Sequence, residues 1–179
     1  MNPSLLIGFV IGGMLLLSLM VMNNRISQNS AQVTLSEMTR QSMSAVSDIV
    51  GHDLRRLGSG AGANPIAVAT RNRLVFNGAQ EDNAVVQVEW FFDDTLVPAA
   101  ADNPRERVLL RVADGDTTRM EMGVTSFNFI YFDAAGDTTA VLNDIRRIRV
   151  QMMVESKSPI GDEFSQAYWE ADHSPRALQ

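Results

Sequence analysis

The spacing of apolar residues changes twice along the chain. Residues 4–22, SLLIGFVIGGMLLLSLMVM, carry no charge and only two hydroxyls. A helix over them is about 28 Å long at roughly 1.5 Å per residue, just enough to cross a bilayer core. Asn2 and Pro3 suit an N-cap and first helical position, because proline lacks the N–H that has no partner there. Beyond residue 22 the sequence turns polar, and Leu35, Met38, Val46, Ile49, Val50, Leu54 and Leu57 return at helical spacing as one stripe. Neither proline nor glycine interrupts residues 23–50. Arg55 and Arg56 fall in the last turn, where cations favour the helix dipole, and the run Gly58-Ser59-Gly60-Ala61-Gly62 supplies a left-handed stop. The pattern predicts one helix from about Pro3 to Leu57, on the order of 80 Å long. Its membrane-spanning half covers residues 1–22 and its amphipathic half residues 23–57.

From Ile66 onward the period is two. Val86, Val88, Trp90 and Phe92 alternate with Gln87, Glu89 and Phe91; Val108, Leu110 and Val112 with Arg107 and Arg111; Met120 and Met122 with Arg119 and Glu121. Further on, Phe127, Phe129 and Tyr131 alternate with Ser126 and Asn128, and Ile148, Val150, Met152 and Val154 with Arg147, Arg149 and Gln151. Each run reads as a strand with one wet face. Asn77-Gly78, Asp114-Gly115-Asp116 and Ala135-Gly136-Asp137 are turn signals. Short loops and the lack of helices between strands predict an antiparallel meander over residues 58–179. Its apolar face needs a cover, and the amphipathic half of the helix is the one long element suited to it. The expected fold is α+β: a long helix packed on an antiparallel β-sheet head. The expected helix–sheet core is Leu35, Met38, Val46, Ile49, Leu54, Trp90, Phe127, Phe129, Tyr131, Ile148 and Val150.

Composition narrows the function. With 179 residues, 45% hydrophobic and 20% charged, the chain is globular material for one domain. A net charge of −6 disfavours nucleic acid and anionic lipid heads, so membrane attachment must come from apolar burial. The absence of cysteine removes disulfides, thiolate nucleophiles and cysteine metal sites. A secretory signal peptide would carry a basic start and a small-x-small cleavage site; neither is visible, so a retained anchor is expected. Arg25 and Arg40 after the span mildly favour a cytoplasmic C-terminus.

Candidate chemistry is sparse. His52 and Asp53 are neighbours on the helix and point about 100° apart, which suits a helix-end charge role better than an acid/base pair. Asp133, Asp137 and Asp144 with Asp93 and Asp94 are rich in oxygen, yet their spacing matches no calcium loop and aspartate is a common turn residue. The glycine run at 58–62 follows a helix instead of opening one, so it forms no phosphate cradle. No serine sits in a G-x-S-x-G elbow. Methionines read as adaptable packing, and Arg146, Arg147 and Arg149 beside Asp144 as a solvated charged face. Within the span, Gly8, Gly12 and Gly13 give a G-x-x-x-G spacing that lets another helix approach closely. Candidate membrane and helix-packing residues are therefore Leu5, Leu6, Ile7, Gly8, Phe9, Gly12, Gly13, Leu16 and Leu19.

Taken in order, several segments resemble the type IV pilin-like family, especially its minor pilins and the larger minor pseudopilins of type II secretion. The apolar-then-amphipathic helix ends at His52-Asp53-Leu54-Arg55-Arg56-Leu57-Gly58, similar to the family's D-(I/L)-R-x-x-G ending. Residues 69–76 resemble its first strands, Leu110-Arg111-Val112 with residues 124–136 its valine segment and F-x-Y-x-D-x-x-G hairpin, residues 145–150 the next strand, and residues 174–178 its tail. One departure stands out. The family's leader is basic and ends in glycine before an aromatic residue, with glutamate four places further on; here Gly8-Phe9 lacks a basic leader and Gly13 replaces the glutamate. Leader cleavage and methylation are therefore not carried over, and the missing carboxylate tilts the reading toward a minor, tip or pseudopilin role.

The resemblance implies a non-enzymatic structural subunit without cofactor or small-molecule substrate. Its partners would be other pilin-like subunits, met through the N-terminal helix, and the inner membrane, with the head in the periplasm or outside the cell. The alternative from another class is a single-pass membrane-anchored periplasmic binding or sensor module.

Overall fold

A computed structural model describes residues 3–62, 64–79, 84–99, 101–159 and 161–179, the side chains of residues 4–6 excepted. Asn2, expected as the helix cap, lies outside the described residues. One uninterrupted helix, α1 (Pro3–Arg56), has 54 residues and so runs for about 80 Å. Up to Thr34 its described side chains are exposed, apart from the half-exposed Gly12 and Gly13; contact with the head starts at Leu35. From there Thr39, Met43, Val46, Val50 and Leu54 recur every three or four residues and are buried. Thr39 fits this apolar line because its hydroxyl donates to the Leu35 carbonyl at 2.8 Å, leaving no unpaired polar atom.

The head holds two antiparallel sheets. Strands β1 (Ile66–Ala69), β2 (Arg73–Ala79), β3 (Val85–Asp93), β4 (Val108–Ala113) and β5 (Asp116–Met120) form the first, in chain order. Strands β6 (Val124–Phe132), β7 (Arg147–Glu155) and β8 (Gln166–His173) form the second. Strand β6 stitches the two together: the Phe129 amide donates to the Arg71 carbonyl at 2.7 Å, and the Arg107 amide to the Val124 carbonyl at 2.8 Å. Across that seam runs a row of aromatic rings. Phe127 stacks with Trp90 at 6.3 Å and meets Phe129 edge-on at 5.0 Å, while Phe129 stacks with Tyr131 at 6.2 Å. The α+β layout of a long helix on an antiparallel head is thus what the chain adopts, with α1 packed mainly on β8 and β7.

Several local expectations are corrected. Met38 is 57% exposed and Ile49 40%, so neither belongs to the helix–sheet core. At 100° per residue both sit about 100° round the helix from the buried line, and the head touches only a narrow strip of α1. In β4 the parity is reversed: Leu109 and Ala113 face the core, whereas Leu110 and Val112 are half-buried on the other side. Three consecutive apolar residues open that strand, so alternation alone does not fix its phase. Asn77-Gly78 is not a turn but lies inside β2, where the absent side chain of Gly78 lets the Arg56 carbonyl approach; a Cβ there would come within 2.6 Å of it. Strand β8 has no counterpart among the expected strands, because its inner face carries only Ala167, Trp169, Ala171 and His173.

Candidate assembly surface

Two features define the surface: where α1 is free, and what locks its other half to the head. In the free half Ile7, Phe9, Leu16 and Leu19 are all exposed, Phe9 at 84%. A Cβ built on Gly8, Gly12 or Gly13 would meet nothing within 4 Å, so the backbone is open along that line. Leu5 and Leu6 belong to α1, but their side chains lie outside the described residues. Residues of α1 from Ile7 onward include a stretch long and apolar enough to cross a membrane, none of it buried against the rest of the chain.

The docked half is fixed by apolar burial and one charged clamp. Val46, Leu54, Trp90, Phe127, Phe129, Tyr131, Ile148 and Val150 are buried, while Leu35 is half-buried at the edge of the contact. Asp53, only 4% exposed, receives two hydrogen bonds from Arg111, Nε to Oδ2 at 2.6 Å and Nη2 to Oδ1 at 2.9 Å. The Trp90 indole N–H adds a third, at 3.0 Å to Oδ2. Three donors from β3 and β4 thereby satisfy one carboxylate of α1, and the bond to Asp53 holds the Arg111 pKa above its ordinary value. Sequence reasoning missed this clamp by placing Arg111 on the wet face of its strand. The signal was there: Asp53 falls inside the apolar stripe between Val50 and Leu54, where a carboxylate needs a buried partner.

Beside the clamp the helix ends under the C-terminal tail. Gly58 has φ +77°, and a Cβ on it would collide with the Ala177 side chain and crowd Pro65. His52 is half-exposed, and its Nδ1 stands 3.8 Å from Asp53 Oδ1, whose carboxylate is already taken by Arg111. His173, on β8, presses against α1 at Gly51; its Nε2 is buried and has no hydrogen-bond partner among the described residues. Burial first, then the charge of Arg55, lowers its pKa.

The aspartates act in turns. Asp133 Oδ1 accepts the Ala135 and Asp137 amides at 2.9 and 3.0 Å, and Asp93 Oδ1 accepts the Thr95 hydroxyl and amide at 2.6 and 2.9 Å. These bonds from Thr95, the hydroxyl first, lower the Asp93 pKa. Among the described residues no three His, Asp or Glu side chains gather as a metal site. The charged face of β7 and β8 is internally paired: Arg149 grips Asp172 through Nε at 2.6 Å and Nη2 at 2.9 Å. Arg146 instead donates to the Asn143 and Ile145 carbonyls of its own loop. No protein-family model matches the chain, and no curated protein is significantly similar to it.

Proposed function

We propose that the chain is a non-enzymatic, pilin-like structural subunit, of the minor pilin or pseudopilin kind, which assembles into a type IV pilus or secretion pseudopilus through the N-terminal half of α1. The observation that carries the reading is the division of one continuous helix. Its first half is apolar and, among the described residues, not buried against its own head, while its second half is sunk into the head and clamped there by Asp53. Exposed apolar residues over several turns are stable in lipid, and they can leave it only where neighbouring helices replace the lipid around them. The inner membrane is therefore the resting place of the free half, and other pilin-like subunits are its partners in the filament. Residues of the family-like segments take part in this packing. Asp53 and Gly58 fix the helix end against the head, and Phe129 and Tyr131 form part of the aromatic row that joins the sheets.

Co-expression tests this directly. The chain is produced with pilin-like neighbours, extracted in mild detergent and purified through a tag on the head. Partners retained through residues 1–57 are the expected result; a head that stays solitary with every partner offered counts against the proposal.

A further inference from the structure

A cleft of about 780 Å³ opens between the end of α1 and the C-terminal tail, lined among others by Leu54, Arg55, Leu57, His173, Ser174 and Arg176. The Arg55 and Arg176 side chains are exposed, and neither makes an ion pair or hydrogen bond among the described residues. The acid of the same cleft, Asp172, is already gripped by Arg149. Two uncompensated guanidinium groups over a partly apolar floor, on a chain of net charge −6, suit a segment that brings carboxylates.

Such a segment exists at the other end of β8. In the turn between β7 and β8, Asp162 and Glu163 are exposed and unpaired among the described residues, and together they outweigh the turn's Lys157. Gly51 lies against His173 and Gly58 against Ala177, so β8 and the tail run in the same direction as α1. The turn is therefore displaced from the cleft by the eight residues of β8, about 26 Å, toward the free half of the helix. No head reaches its own cleft with this turn. A two-fold axis along the helices leaves turn and cleft at different heights, and one across the helices points them in opposite directions. With all helices pointing the same way, only an axial offset between copies brings the two together, which is a heterologous contact of the kind that builds filaments.

We infer that a second copy of this chain, offset along the helix axis, seats its β7–β8 turn in the cleft, with Asp162 and Glu163 pairing with Arg55 and Arg176. The inference rests on the pilin-like reading, in which all helices point the same way. It assigns the head its own contact, separate from the packing of the apolar helices.

The chain has no cysteine, so cross-links report cleanly. Ser158, in the turn, and Ser174, in the cleft, are both exposed. The full-length S158C/S174C protein, oxidised in membranes, is expected to give a ladder of disulfide-linked multimers. Charge reversal by R55E/R176E, or separately by D162K/E163K, should reduce the ladder at least tenfold, and combining the two reversals should restore it. A parallel S18C variant reports contact between the apolar helices. If S18C cross-links while the head ladder is missing or indifferent to charge, the inference falls and the pilin-like reading stands. If neither pair cross-links, the inference falls, and the pilin-like reading is decided by the co-expression with other pilin-like subunits.

Discussion

Removing the Asp53 carboxylate is the sharpest single perturbation of the head. In Asp53→Ala, Arg111 loses both of its short bonds and the fully buried Trp90 N–H loses its acceptor. Truncating one partner of a buried ion pair costs about 3–5 kcal/mol. The Arg111 side chain is 25% exposed, so water compensates part of its charge, and the lower end, about 3 kcal/mol, applies. The double variant D53L/R111M removes both charges together and refills the space. It leaves only the indole N–H unpaired, so its loss should be about 1–2 kcal/mol. Urea unfolding of the full chain in detergent micelles, followed by tryptophan fluorescence, gives both values by linear extrapolation. A loss of less than about 1 kcal/mol in D53A, or a double variant that loses as much as the single one, would mean that the buried carboxylate does not hold the helix to the head.

Three further outcomes follow from the packing and from His173. Leu54→Ala, at a fully buried position of α1, should cost about 2–5 kcal/mol in the same unfolding assay. Met38→Ser and Ile49→Ser should each stay within about 0.5 kcal/mol of the parent, because both side chains face solvent in the single chain. The folded state holds His173 below its ordinary pKa of 6.5 and so binds that proton less readily than the unfolded chain. Its contribution to stability should therefore be complete above pH 6.5 and fall away as the pH drops through 6.5 to the folded value. Thermal melts from pH 7.5 to 5 should show that decline in the parent and a flatter profile in His173→Phe.

How much of this was legible in the sequence depends on how each signal is written. The long helix was readable almost to the residue, because an uncharged span, an unbroken stripe and a glycine stop all agree. Strands β3, β6 and β7 were readable because aromatic and β-branched residues alternate cleanly with polar ones. Strand β8 escaped because alanine and histidine on its inner face leave little contrast, and its burial is supplied by α1 lying over it. The clamp escaped for a different reason. Asp53 and Arg111 are 58 residues apart, and only tertiary packing turns two surface-like charges into a buried pair. Met38 and Ile49 were over-assigned because periodicity reports which way a side chain points, not how wide the facing surface is.

The proposed function makes the free half of α1 a specific assembly element and not merely an anchor. Replacing residues 4–22 with polyleucine in the full chain keeps an apolar span of the same length while erasing the open line at Gly8, Gly12 and Gly13. This variant should still fractionate with membranes but no longer co-purify with the pilin-like subunits offered in co-expression. Undiminished co-purification from the polyleucine chain would contradict it.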